Sequence, residues 1–233
     1  MKHFLLLFFL FPLLIFSQVN LEKAQQLFDD GKFEQAKPLF EALLKKNPSN
    51  IKIMEYLGDI AGRTKDWDEA LLYYGKLKKI KPQEADFYFK YGGVLGMKAL
   101  EVNRFKALGM IDEVRSNFEK AIELNPKHIE ARWALIELNL QLPGILGGSE
   151  KKAIQYSNEL LQISAVDAYL SRGHIEEYFK RYTKAEQWYK KAITVGNSKK
   201  TYQKLANLYA NKMKSPEKAQ AVLEEFRRKS TIN

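Results

Sequence analysis

Residues 142–153, LPGILGGSEKKA, gather a proline, three glycines, a serine and two lysines into one short stretch. A glycine-rich loop that opens a helix can turn its amide N–H groups onto a phosphate or carboxylate. Lys151 and Lys152 would add positive charge there. Gly147, Gly148 and Ser149 are therefore the candidate anion site, and with it the candidate centre of an enzyme. The spacing departs from the known phosphate-binding patterns. A P-loop needs four residues between its glycines and then Lys-Ser or Lys-Thr. Gly144 and Gly148 enclose three, and no such pair follows. The preceding segment is helix-like rather than strand-like, which removes the dinucleotide-binding context. The competing reading makes Ser149 the N-cap of a helix that begins near Glu150.

Other reactive residue types are sparse. There is no cysteine, which excludes disulfides, thiolate catalysis and cysteine-bound zinc or iron–sulfur clusters. Beyond His3, the histidines are His128 and His174, 46 residues apart and outside any HExxH spacing. His128 follows Pro126 and Lys127 at a helix start and is expected to be exposed. Glu176 and Glu177 are adjacent, so their side chains diverge on a helix. No serine has a nucleophile-elbow setting. No catalytic constellation emerges, and the expectation is a protein that is not an enzyme and uses no metal or cofactor.

The formal net charge is +10, which favours anionic partners. The lysines are scattered at helical spacings, as on a solvated helix face. The first residues, MKHFLLLFFLFPLLIFSQ, place Lys2 before an apolar run from Phe4 to Phe16. A membrane span needs about 20 apolar residues, so this shorter run has the form of a secretory signal peptide over residues 1–17, cut after Ser17. An uncleaved anchor is the other reading. Removing Lys2 leaves a charge of +9. No later stretch is apolar enough to span a bilayer. The expected location is periplasmic or secreted, in a bacterium, which also sets the chain apart from nucleic acid.

These residues must be positioned by helices, and the helices repeat. Pro48 and Pro82 are 34 residues apart, and each follows a lysine-bearing helical run, as at a helix end. Between them, Leu57, Gly58, Ala61, Trp67, Ala70, Tyr74 and Leu77 recur at fixed offsets. Gly58 and Ala70 are small where two helices cross, and Tyr74 and Leu77 fill the groove beside them. The pattern resembles the tetratricopeptide repeat, a helix–turn–helix unit. It returns as Ala24, Gly31, Ala36 and Phe40; as Tyr91, Gly92, Leu95, Phe118, Ala121 and Pro126; as Ala153 and Leu160; as Gly173, Tyr182, Ala185 and Tyr189; and as Leu205, Tyr209, Ala219 and Phe226. About six units follow, approximately 18–48, 51–82, 85–126, 129–165, 166–197 and 199–229, within one repeat domain over 18–233. The expected fold is all-α, a right-handed superhelical solenoid of twelve helices. The third unit carries about ten extra residues, with Met97, Leu100, Phe105, Leu108 and Ile111 at helix-like spacings, so a lengthened helix hairpin is expected there. In the fourth, Ile136 and Ala153 stand 17 apart where Gly58 and Ala70 stand 12 apart, so LPGILGGS is an enlarged turn. Gly196 is expected to stop the second helix of the fifth unit.

The resemblance implies a function as well. Such repeats bind protein segments along the groove lined by the first helix of each unit. The matching positions are Glu55, Asp59 and Arg63, then Phe89 and Met97, then Trp133, Glu137 and Gln141, then His174 and Tyr178. An aromatic and acidic surface of this kind suits an extended peptide or helix with apolar anchors and basic residues. The lysine–asparagine clamp that some relatives use on chaperone tails is not matched, because Leu21 and Gln25 stand at its positions. The expected role is a protein-interaction scaffold of the cell envelope. The alternatives are a binder of anionic lipid or glycan through a basic surface, and an enzyme or anion site at loop 143–149.

Overall fold

The structure, a computed structural model, describes residues 21–231. The expected signal peptide, its cut after Ser17 and the start of the first repeat lie outside the described residues. Every regular element among those described is helical. Residues 21–29 form α1, followed by α2 (Phe33–Lys46), α3 (Ile51–Arg63), α4 (Trp67–Ile80), α5 (Ala85–Glu101), α6 (Arg104–Leu108) and α7 (Ile111–Leu124). Then come α8 (Ile129–Gln141), α9 (Glu150–Glu159), α10 (Ala165–Tyr178), α11 (Tyr182–Gly196), α12 (Lys199–Asn207) and α13 (Pro216–Thr231). The twelve expected helices are joined by the short helix α6, and the lengthening expected in the third unit is carried by α5, 17 residues against 13 in α3, and by α6 itself. No helix among the described residues is long and apolar enough to cross a membrane.

Local chemistry sets the ends. Asn50 accepts from the Ile53 amide, Asp66 from Glu69, Ser164 from Asp167 and Ser198 from Thr201. Each such cap is worth about 1 kcal/mol. Four of the tight hairpins close on a left-handed residue two places before the second helix: Gly31 (φ 74°), Lys65 (63°), Lys180 (59°) and Lys214 (53°). A lysine bears strain in that conformation that a glycine does not. Gly196 is the last residue of α11, but the left-handed stop is Asn197. Gly196 is needed instead for closeness, since a Cβ there would lie 2.9 Å from Val166.

The described residues divide into two compact units, one ending at Asn117 and the other beginning at Phe118, with the division inside the continuous helix α7. In the first, Ala24, Ala36, Phe40, Leu43, Ile53, Leu57 and Ile60 form one core cluster, and Met54, Ala61, Ala70, Tyr74, Leu77 and Phe87 a second. In the second, Ile136, Leu140, Ala153, Leu160, Ala168 and Ile175 form one cluster, and Leu170, Ala185, Tyr189, Ala192, Leu205 and Tyr209 belong to another. Burying each leucine or isoleucine contributes about 1.5–3 kcal/mol. The crossings depend on small residues. A Cβ at Gly58 would lie 3.0 Å from the Tyr74 ring, and one at Gly173 only 2.4 Å from the Tyr189 ring.

Candidate partner-binding surfaces

In the first unit, the expected groove residues Glu55 and Asp59 come together on α3. What joins them is Lys90 of α5, whose Nζ donates to Glu55 Oε1 at 2.8 Å and to Asp59 Oδ1 at 2.9 Å. The Tyr74 hydroxyl rises from α4 and donates to the same Asp59 Oδ1 at 2.5 Å. Burial works against the charge of Lys90. Its hydrogen bonds to Glu55 and Asp59, with their negative charges, outweigh that and hold its pKa above the ordinary lysine value. Burial first, then the charge of Asp59, push the Tyr74 hydroxyl well up, so it stays a neutral donor. Arg63 turns away, its guanidinium over Phe28 and Phe33 at 5.8 and 5.6 Å. Phe89 is half-buried and Met97 exposed.

The second unit assembles Trp133, Glu137, Gln141 and His174. The indole N–H of Trp133 donates to Asp167 Oδ1 at 3.1 Å, and its ring centroid lies 6.2 Å from that of His174. His174 Nε2 stands 2.6 Å from Glu137 Oε1. The Gln141 amide donates to the other oxygen of Glu137 at 3.3 Å. The His174 contact, ahead of the opposing pull of burial, holds the Glu137 carboxyl below the usual carboxylate range. Lys200 adds a cation 3.5 Å from Asp167. Tyr178 sits at the end of α10, 46% exposed and edge-on to Phe179. Trp133 itself is half-buried and packs on its inner side against the core clusters that contain Leu170 and Ile175.

Sequence reasoning missed Lys90, which looked like one of the scattered surface lysines, and Asp167. One signal was available. Both stand about one repeat length from their partners, 35 residues from Glu55 and 34 from Trp133. Trp67 to Glu101 (34), Lys37 to Glu69 (32) and Arg181 to Glu150 (31) follow the same rule. In tandem hairpins, equivalent positions on successive units become neighbours, so polar pairs separated by a repeat length are candidate contacts.

Loop 142–149 is a folded turn. The amides of Leu146 and Gly148 donate to Pro143 O, that of Gly147 to Gly144 O, and that of Ser149 to Asn139 O. The amides of Gly147, Gly148 and Ser149 are thus each bonded within the chain. Ser149 caps α9, accepting from Lys152 N at 3.2 Å, and Glu150 puts a carboxylate in the first turn, bonded to Arg181. Gly147 supplies a left-handed residue (φ 84°). At Gly148 a Cβ would lie 1.8 Å from Leu142 O, so no side chain fits. His128, expected to be exposed, is buried: its Nδ1 caps α8 by accepting from the Ala131 amide. A helix-start histidine that serves as the cap must turn inward over the first turn.

Profiles of the tetratricopeptide repeat match residues 21–85 and 166–195. The chain carries tetratricopeptide repeats. In sequence it is similar to a TPR repeat-containing protein of Methanocaldococcus jannaschii, 27% identical over 183 residues, which are 71% of this chain and 30% of that protein. The chain spans less than a third of the length of the curated relatives it matches. In fold it is similar to a thermophilic TPR protein of Thermus thermophilus, with a TM-score of 0.65 at 18% identity over 83% of this chain and 99% of that one. A tetratricopeptide repeat protein of Parabacteroides merdae gives 0.61 at 21% identity, over 90% and 78%. Within the matched residues, the tetratricopeptide hairpins account for the tandem helix pairs, the small residues Gly58 and Gly173 at the crossings, and the left-handed turns at Gly31, Lys65 and Lys180.

Proposed function

We propose that the protein is a non-enzymatic scaffold, exported to the periplasm or beyond, that holds a segment of a protein partner on the first-helix face of residues 118–231. The observation that carries this reading is the setting of Trp133. An indole held by Asp167 and flanked by His174 and Glu137 combines an ordered aromatic face with polar groups around it. Oriented aromatics of this kind are the residues that dominate binding energy at interfaces. The partner segment would lay an apolar side chain on Trp133 and offer donors to Glu137 and Asp167.

The test is affinity capture from a cell-envelope fraction with the wild type, Trp133→Phe and Trp133→Ala, followed by titration of each captured protein. Trp133→Ala should weaken binding by about tenfold or more, with Trp133→Phe in between and helicity unchanged. Capture of every partner by Trp133→Ala at wild-type affinity would overturn the reading.

A further inference from the structure

The extra residues between α5 and α7 form a built tip rather than a loose loop. At its base, Trp67 Nε1 donates to Glu101 at 2.6 Å, and Lys98 pairs with Asp68, fixing the last turn of α5 to α4. Asn103 then caps α6 by accepting from the Lys106 amide at 3.0 Å. On this braced support the tip exposes apolar side chains: Phe105 is 89% exposed, Leu100 71%, Met97 46% and Leu108 44%. Leaving them in water is costly, and hydrophobic exposure on this scale marks an interaction site when it is clustered. These four fall within one short run of chain, in pairs three residues apart that share a helix face.

The charges around them select the occupant. Residues 97–110 hold Lys98, Arg104 and Lys106 against a single carboxylate, Glu101. Glu101 is bonded to Trp67 and Lys98 to Asp68, while Arg104 and Lys106 are exposed. The exposed cations therefore flank Phe105 on both sides. Apolar residues interleaved with cations match the boundary between lipid headgroups and acyl chains, where the rings sink about 5–10 Å and the cations meet phosphate. A second copy of the chain fits less well. A patch of this kind offers a few hundred Å², short of the roughly 800 Å² per partner that a stable dimer buries, and it would set Arg104 and Lys106 against their own copies.

We propose that the tip formed by the end of α5 and by α6 docks into the surface of an anionic lipid bilayer, with Phe105, Leu100 and Leu108 inserted and Arg104 and Lys106 on the phosphates. This surface shares no residue with the Trp133 face, so either proposal can fail alone.

The absence of cysteine makes the test clean, since one introduced thiol takes one label. The full chain carrying Leu100→Cys with an environment-sensitive fluorophore is mixed with vesicles of phosphatidylglycerol and phosphatidylcholine. The label should shift to the blue and be quenched by spin-labelled lipid, whereas the same label on the exposed Gln187→Cys should do neither. Quenching reports depth at the tip, however the rest of the chain is held. Adding Phe105→Asp should abolish it. Arg104→Glu with Lys106→Glu should weaken it about tenfold or more on anionic vesicles and much less on phosphatidylcholine alone. Three results would overturn the proposal: an unquenched label at position 100, quenching indifferent to Phe105→Asp, or a concentration-dependent blue shift without lipid, which would assign the tip to a second copy.

Discussion

The Asp59–Lys90 cluster in the first unit and the Glu137–His174 cluster in the second occupy corresponding places on the repeat. Each sets a carboxylate of one first helix against a basic side chain of the next first helix, on α3 and α5 or on α8 and α10. Each also lies near a glycine pressed on a tyrosine, Gly58 on Tyr74 and Gly173 on Tyr189. The difference lies in how the charges are held. Lys90 serves two carboxylates at once and Tyr74 reinforces one of them, giving a closed network. In the second unit the tyrosine bonds elsewhere, Tyr189 to Glu177, while Glu137 meets His174 and Gln141, with the charge of Lys204 acting from farther away. The repeat frame thus fixes where a polar pair forms, while the residue types decide whether it closes into a network or stays a simple pair.

The comparison can be broken first at its base. Gly173→Ala should cost about 2–3 kcal/mol, because its Cβ would press on a fully buried tyrosine, whereas Gly58→Ala, with a wider gap, should cost about 1 kcal/mol. Urea unfolding of the two variants checks the order, and equal costs would contradict it. Lys90→Met should come next, at about 1–2 kcal/mol, since it leaves Asp59 half-buried without its cation and Glu55 with the longer contact to Lys52 alone. His174→Gln should cost less, about 0.5–1 kcal/mol, and a double-mutant cycle with Glu137→Gln should show that the two losses overlap.

The smallest effect is in pH, and it has opposite signs at the two clusters. The pKa of Lys90 is raised, so its contribution is complete below the ordinary lysine value and fades as pH climbs through the raised one. The pKa of Glu137 is lowered, so its contribution is complete above the ordinary carboxylate value and fades as pH falls through the depressed one. Unfolding free energies across pH should show Lys90→Met converging on wild type above about pH 10, and Glu137→Gln converging below about pH 4. Convergence at the same end for both would remove the distinction between the clusters.

Much of the frame was legible in the sequence because small residues at a crossing leave a fixed signature. The packing of Tyr74 beside Gly58 was readable from their spacing, and Gly173 with Tyr189 repeats it at matching positions of the pattern. The cap role of Ser149 was legible for the same local reason. Less could be read where the outcome depends on the next repeat. Lys90 reads as a solvated lysine until its 35-residue offset from Glu55 is taken as one repeat and α3 is laid beside α5. The burial of His128 depends on which ring atom meets the helix start, which composition does not specify. The division into two units falls inside α7, where helical periodicity runs on without interruption.

The left-handed joint has one more consequence. Where a hairpin closes on Gly31, Lys65 or Lys214, the turn is short and displays no large exposed apolar side chain, while at Lys180 Tyr178 and Phe179 stay partly exposed. Where the joint is given up between α5 and α7, or rebuilt around Gly147 between α8 and α9, the chain displays Phe105 and Ile145, the latter 94% exposed. The joint therefore works as a splice site. It is a place where the repeat can be opened, a new surface inserted, and the helix pair on either side left in register.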